Sequence, residues 1–277
     1  MSTAPVTEKA AAETQKRRPA ADGTPILDCR NVSKRFGAVQ ALYKVDFDVA
    51  AGEVMALVGD NGAGKSTLIK GIAGIYTFDE GEIHFEGKRV RIDNPRDSAA
   101  LGIEVVYQDL ALADNLDVVA NMFLGRERLN GVVLNEASME QESRKTLDSL
   151  SVTTLQSLRQ AVAGLSGGQR QAVAVAKAVM WNSKVVILDE PTAALGVAQT
   201  RQVLDLVRRL ADHGLGVVII THNLHDAFEV ADRITVLRLG QRVDVYEKET
   251  STQQEIVHAI TAGSLEHVPG MVAEGEL

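Results

Sequence analysis

The stretch Gly59-Asp-Asn-Gly-Ala-Gly-Lys-Ser-Thr67 constrains this chain more than any other. It follows the short apolar run Glu53 to Val58 and precedes Ser66 to Ala73, which reads as a helix. Strand, glycine loop and helix in that order open a parallel α/β sheet. Gly59 and Gly64 followed by Lys65 and Ser66 satisfy the spacing of a phosphate-binding loop. Glycine is needed because the backbone must curl tightly and aim its N–H groups at phosphate oxygens. The positive end of the following helix adds to that field. Lys65 is expected to reach the β- and γ-phosphates, and Ser66 to bind magnesium.

The rest of the chain supplies the sheet. Ile26 to Val49 holds two apolar runs broken by Lys34-Arg35-Phe36-Gly37, which reads as a turn between strands. Glu82 to Phe85 and Arg89 to Ile92 resemble a small hairpin, and Ile103 to Tyr107 another strand. From about residue 110 to 165 strand-like runs give way to helical periodicity, as in Met139 to Leu150. That stretch is expected to be a helical subdomain inserted into the sheet domain. Beyond it, helices at Gln169 to Trp181, Val197 to His213 and Asn223 to Ala231 alternate with strands at Val185 to Leu188 and Val217 to Thr221. Arg233 to Val245 supplies the last strands and Thr252 to Ala262 a closing helix. One domain over 25–263 is expected, with a disordered tail over 1–24 and a second tail over 264–277. No internal repeat is visible, so the chain carries one nucleotide site's worth of motifs.

Charge narrows the partners. The 29 basic and 37 acidic side chains of the 277 residues leave a net charge of -8, and the tight basic cluster is Lys16-Arg17-Arg18. A protein that grips nucleic acid shows a basic surplus or stripe, so no nucleic-acid partner is expected. The single cysteine, Cys29, allows no internal disulfide. No apolar stretch approaches the roughly 20 residues that cross a bilayer. The chain therefore reads as soluble and cytoplasmic by itself, with any membrane role supplied through a partner.

Two further segments carry chemistry. Val185-Val-Ile-Leu-Asp-Glu190 is a buried strand ending in two carboxylates. Asp189 would hold magnesium through a water, and Glu190 would act as general base on the attacking water. Leu165-Ser-Gly-Gly-Gln169 places Ser166, Gly167 and Gly168 at a helix start, where bare N–H groups and a hydroxyl form a second anion site.

Leu-Ser-Gly-Gly-Gln is similar to the signature motif of ATP-binding cassettes, the ATPase units of ABC transporters, and the resemblance spans roughly Ile26 to Gly263. It implies a P-loop NTPase cassette: a mixed, largely parallel sheet core, an antiparallel β subdomain and an inserted helical subdomain. It implies that ATP and Mg2+ are held by Gly59, Asp60, Asn61, Gly62, Ala63, Gly64, Lys65, Ser66 and Thr67. It further implies that Ser166, Gly167, Gly168 and Gln169 contact the γ-phosphate held by a second copy, in a head-to-tail homodimer. Gln108 matches the glutamine that senses magnesium and contacts membrane subunits. His222 matches the histidine that touches the γ-phosphate and orients water, and Phe36 the aromatic that stacks on adenine. Ser66, Gln108 and Asp189 would be the metal ligands; Glu190, His222 and Gln108 the catalytic group. The sequence departs from the family at Gly196, where most cassettes carry an aspartate that couples the two sites.

Finer features resemble bacterial importers of monosaccharides such as ribose, xylose and fructose. They are Gly59-Asp-Asn-Gly62, Ala99-Ala-Leu-Gly-Ile103, Val106-Tyr-Gln-Asp109, Asn121-Met-Phe-Leu-Gly-Arg-Glu127 and Glu190-Pro-Thr-Ala-Ala-Leu-Gly196. That branch implies a peripheral subunit on the cytoplasmic face of the inner membrane. Its partners would be transmembrane permease subunits and, indirectly, a periplasmic sugar-binding protein. The competing reading is a soluble ABC ATPase acting on ribosomes or DNA. Against it stand the acidic charge, the lack of a second cassette and the lack of a long heptad insertion.

Overall fold

A strand that is apolar at every position must be covered on both faces, and Val54–Val58 is buried throughout. The computed structural model describes residues 24–265 and sets this strand inside a six-stranded sheet. The tail readings for 1–24 and 264–277 fall outside that span, apart from residues 24, 264 and 265.

The first half contains β1 (Leu27–Phe36), β2 (Val39–Val49), β3 (Val54–Val58), α1 (Lys65–Ile72), β4 (Glu80–Phe85), β5 (Lys88–Val90), α2 (Pro95–Leu101) and β6 (Ile103–Val106). There follow α3 (Val118–Phe123), β7 (Leu129–Asn130), β8 (Val133–Leu134), α4 (Glu136–Ser149) and α5 (Gly167–Val179). The chain closes with β9 (Val185–Asp189), α6 (Val197–Asp212), β10 (Gly216–Ile220), α7 (Leu224–Val230), β11 (Arg233–Arg238), β12 (Gln241–Glu247) and α8 (Gln253–Ala262).

The large sheet has the order β12-β11-β3-β10-β9-β6 and is parallel except for β12, which pairs antiparallel with β11. A second, antiparallel sheet has the order β2-β1-β4-β5. Helix α1 lies between the two sheets: Leu68, Ile69 and Ile72 pack with Leu27 and Phe47 from one and Met55 and Ile187 from the other. The opposite face of the large sheet is covered by α3 to α6, where Phe123, Val173 and Leu206 join Ala56 and Leu188 in one apolar cluster.

Because β3, β10, β9 and β6 run parallel as neighbours, their carboxyl ends open on one edge. Each then delivers a singled-out residue to that edge: Gly59 after β3, His222 after β10, Asp189 and Glu190 at β9, and Gln108 after β6. A crevice outside the carboxyl ends of a parallel sheet is where such folds bind ligands.

Three local features differ from the sequence reading. Strand β1 runs through Lys34, Arg35 and Phe36, so the turn falls at Gly37 and Ala38 instead. Asp79 holds that extension, accepting from Lys34 Nζ at 2.8 Å and from the Arg35 N–H at 2.7 Å. Helix α2 was not anticipated, although Asn94-Pro-Arg-Asp97 forms a full capping box at its start. Inside the stretch read as helical, β7 and β8 form a two-residue hairpin across Gly131.

Candidate functional site

The phosphate-loop backbone is curled as the spacing demands. Gly59 and Gly64 take φ of 150° and 99°, and a Cβ on Gly59 would sit 2.2 Å from the Leu237 carbonyl oxygen. A side chain at Gly59 therefore requires the loop to move away from β11. The loop borders a cavity of about 580 Å3, whose walls include Asn61 to Thr67, Gln108, Asp189 and Glu190. Helix α1 begins at its floor with Gly64 as N-cap and no side-chain capping bond, leaving its first N–H groups for a ligand. Lys65 folds back over the loop, its Nζ donating to the carbonyls of Gly59 at 2.6 Å and Asp60 at 2.9 Å. Burial lowers the Lys65 pKa, while Glu190, Asp60 and Asp189 oppose that shift. The ammonium thus waits on weak neutral acceptors beside three carboxylates.

Two acids meet this cation from β9. Burial raises the Asp189 pKa, with the Glu190 charge adding to the shift and Lys65 and Lys70 opposing it. Glu190 stands just past the strand with φ of 49°, a conformation that side chains other than glycine seldom take. Its N–H donates to the Ile220 carbonyl at 2.9 Å, which ties the strained residue to β10. Strain held this way clusters at functional sites. Glu190 Oε1 lies 2.9 Å from Nδ1 of His222, whose side chain is 74% exposed. Behind the pair, Thr192 Oγ1 donates to the buried Asp226 at 2.6 Å, joining the chain after Glu190 to the helix after His222. Sequence reasoning did not single out Thr192 or Asp226; a threonine two residues past the acid pair was their faint signal.

The second anion site is built differently. Ser166 caps α5: its Oγ accepts from the Gln169 N–H at 3.3 Å, and its own N–H donates to Gln169 Oε1 at 2.8 Å. Gln169 also donates to the Thr154 carbonyl at 2.7 Å. Gly167 and Gly168 pack against Leu195 and Gln199, close enough that a Cβ on Gly167 would meet Leu195 Cδ2 at 2.7 Å. None of Ser166, Gly167, Gly168 and Gln169 lines the phosphate cleft of its own subunit. Phe36 stands at the end of β1, 47% exposed, its ring edge-on to Tyr76 at 5.2 Å. It does not line the cleft either; Val39, Gln40 and Ala41 of β2 do. Tyr76, unremarked in the sequence, donates its hydroxyl to the Thr67 carbonyl at 2.6 Å and so links the aromatic pair to α1.

A phosphate loop, an acidic strand end and a histidine gathered on the carboxyl edge of one parallel sheet define a P-loop nucleotide hydrolase. The family model for ABC transporters matches residues 42–193, and this chain belongs to that family. Its curated relatives include the xylose/arabinose import ATP-binding protein XylG of Sulfolobus acidocaldarius, 50% identical over 240 residues, or 87% of this chain and 95% of that one. The fructose import ATP-binding protein FrcA of Rhizobium meliloti is 49% identical over 244 residues, 86% of this chain and 94% of its own. The ribose import ATP-binding protein RbsA of Yersinia pestis is 39% identical over 87% of this chain, which spans 47% of that protein. Among solved structures, the ADP conformation of MJ1267, an ATP-binding cassette of an ABC transporter, superposes with a TM-score of 0.74. It is 28% identical over 86% of this chain and 96% of its own. The chain is accordingly a nucleotide-binding ATPase subunit of transport. Among the described residues no helix is long and apolar enough to cross a membrane.

Proposed function

We propose that this chain powers import of a monosaccharide of the xylose, fructose or ribose type, as a head-to-tail pair of identical subunits that closes around two ATP molecules. The observation that carries the hydrolytic part is the 2.9 Å contact between Glu190 and His222 at the mouth of the phosphate-loop cleft. The sugar class rests on relatives named for xylose/arabinose and fructose import.

Each residue has a task that its surroundings support. Loop N–H groups and Lys65 bind the phosphates; Lys65 exchanges two neutral carbonyls for an anion, a stronger charge-assisted bond. Glu190 takes the proton from the attacking water, and His222 orients that water and the γ-phosphate through its bond to Glu190. Phe36 offers its exposed face to the adenine ring, steadied by Tyr76. Ser66, Asp189 and Gln108 border one cleft and offer hydroxyl, carboxylate and amide oxygen, a donor set that fits magnesium. Burial and the neighbouring Glu190 charge raise the Asp189 pKa, and a cation bound there would oppose both. The chemistry magnesium would supply there is neutralisation of charge on the β- and γ-phosphate oxygens.

Ser166 to Gln169 lie outside the lining of their own cleft, which supports their completing the site of a partner. ATP then bridges the loop of one subunit and the α5 turn of the other, and hydrolysis removes the bridge. Gln108 and the segment after it carry the motion to permease subunits at the cytoplasmic face of the inner membrane, which receive sugar from a periplasmic binding protein. The net charge of -8 disfavours the alternative of a ribosome- or DNA-directed ATPase. The test is uptake of labelled xylose, fructose and ribose into vesicles holding the permease, with ATP on this subunit's side. Uptake of one sugar that vanishes on Glu190→Gln supports the proposal. ATP turnover that follows added ribosomes and ignores the permease overturns it.

A further inference from the structure

Phe36 has a support that phosphate chemistry does not call for. Lys34, two residues before it on β1, has a side chain only 12% exposed, although lysines are mostly exposed. Its Nζ donates to Asp79 Oδ1 and to the Thr77 carbonyl, each at 2.8 Å. From that seat the ammonium stands 5.5 Å from the centroid of the Phe36 ring and 5.4 Å from that of Tyr76. Both distances fall within the roughly 6 Å over which a cation attracts an aromatic face. Lys34 does not line the nucleotide cleft.

Each partner in this cluster is itself anchored. Asp79 also accepts from the Arg35 N–H at 2.7 Å, and its own N–H donates to the Ser33 carbonyl at 2.9 Å. The Lys34 bond is the main cause that holds its carboxyl below the ordinary range. Tyr76 meets the Phe36 ring at an interplanar angle of 84° and donates its hydroxyl to the Thr67 carbonyl at 2.6 Å. Burial pushes the Tyr76 pKa up to about 12, so that hydroxyl keeps its proton. Thr67 belongs to α1 and lines the cleft, as does Val39, which pairs with Phe36 across the β1–β2 turn. The Phe36 ring thus stands at the cleft rim, backed by a cation and linked through a tyrosine to the helix under the phosphate loop.

We propose that Lys34 is a positioning residue for the nucleotide base: with Asp79 and Tyr76 it locks the Phe36 ring in the pose that receives adenine, and it touches no part of the nucleotide itself. The proposal rests on the base-stacking reading of Phe36 above. A ring held in advance loses little freedom when the base arrives, which lowers the ordering cost of binding. Lys34 over one face of the ring leaves the other face to the purine. The bond from Tyr76 to Thr67 sets that face at a fixed place relative to α1, and so relative to the phosphates.

The test compares equilibrium binding of ATP with that of ribose 5-triphosphate, which keeps sugar and phosphates and lacks the base. Phe36→Ala weakens ATP binding about tenfold or more, the worth of a stacked base, and leaves ribose 5-triphosphate binding as it was. Lys34→Met weakens ATP binding about three- to tenfold, spares ribose 5-triphosphate, and adds nothing in the Phe36→Ala background. In turnover it raises KM for ATP by the same factor, while kcat moves less than twofold. Lys34→Arg, which keeps the cation, restores binding. Tyr76→Phe keeps the ring, gives a base-only loss of about two- to fivefold, and carries the test should Lys34→Met not fold. If Phe36→Ala binds ATP as the wild type does, the stacking reading fails and the support role with it. If Phe36→Ala weakens ATP binding but Lys34→Met and Tyr76→Phe do not, or weaken both ligands alike, Phe36 keeps its task and the role of Lys34 alone is wrong.

Discussion

Helices α1 and α5 both begin at a glycine-bearing turn, yet they treat their first N–H groups in opposite ways. At α1 the N-cap is Gly64, no side chain caps the helix, and the Lys65 ammonium adds its positive charge beside that end while donating to carbonyls of its own loop. At α5 Ser166 and Gln169 cap each other reciprocally, and Gln169 is tied in addition to Thr154. The first turn is shaped to receive an anionic ligand. The second is stable alone and exposed. A site split between the two is incomplete in the separate subunit and costs little to hold open until a partner arrives.

The largest expected effect breaks the comparison on the catalytic side. Glu190→Gln removes the base and leaves every phosphate contact, so hydrolysis should fall about a hundred- to ten-thousandfold while ATP binding persists. Phosphate release and nucleotide binding on one preparation check it; near wild-type turnover removes Glu190 from its role. Next in size, Lys65→Ala should weaken ATP binding by about one to two orders of magnitude, the worth of a charge-assisted bond. Retained tight binding would mean that the loop's N–H groups suffice.

Mixing sharpens the contrast between the two turns. A Lys65→Ala subunit lacks a working loop, and a subunit with Ser166 replaced by arginine lacks a receptive turn. Each is inactive alone, but a mixed pair contains one intact composite site. Equal mixing makes about half of all pairs mixed, so about a quarter of wild-type turnover should return when sites act independently. No recovery, in pairs verified as mixed, would show that both sites must fire together.

How legible all this was depended on whether a residue's task is local. The phosphate loop, β3, β9 and β10 were readable because unbroken apolar runs ending in a glycine loop, an acid pair or Thr221-His222 specify both burial and chemistry over a few positions. The positive φ of Glu190 was not, since it is imposed by the tie to Ile220, a contact 30 residues distant. Tyr76 and Asp226 were missed because each acts through a single side-chain hydrogen bond, to the Thr67 carbonyl 9 residues back and with Thr192 34 residues away, that no periodicity records. Helix α2 was missed although its capping box was in plain view, because it is only seven residues long and buries Ser98 in place of an apolar stripe.

A smaller effect concerns Asp189. Its folded pKa is raised above the ordinary 3.8, so the ionised form costs the empty protein free energy. That cost is absent well below pH 3.8 and complete once pH exceeds the shifted value. Asp189→Asn should therefore raise the melting temperature at pH 7 while lowering magnesium-dependent turnover. The gain should shrink as pH falls into the carboxylate range. A variant less stable than wild type at pH 7 would show that Asp189 serves the fold and is not held ready for a cation.

The smallest effect bears on the turn at α6. Gly196→Asp supplies the N-cap that α6 lacks, which should stabilise the protomer by a few tenths of a kcal/mol. The same carboxylate would sit between Leu195 and Gln199, which pack beside the Ser166 turn, and would repel the nucleotide a partner brings, so ATP-driven pairing should loosen, about two- to fivefold, and the loss should diminish at high salt. Opposite signs in protomer stability and pair affinity place the reason for glycine between subunits. If both quantities rise together, nothing at the interface needs Gly196, and the asymmetry between the two turns is a property of each subunit alone.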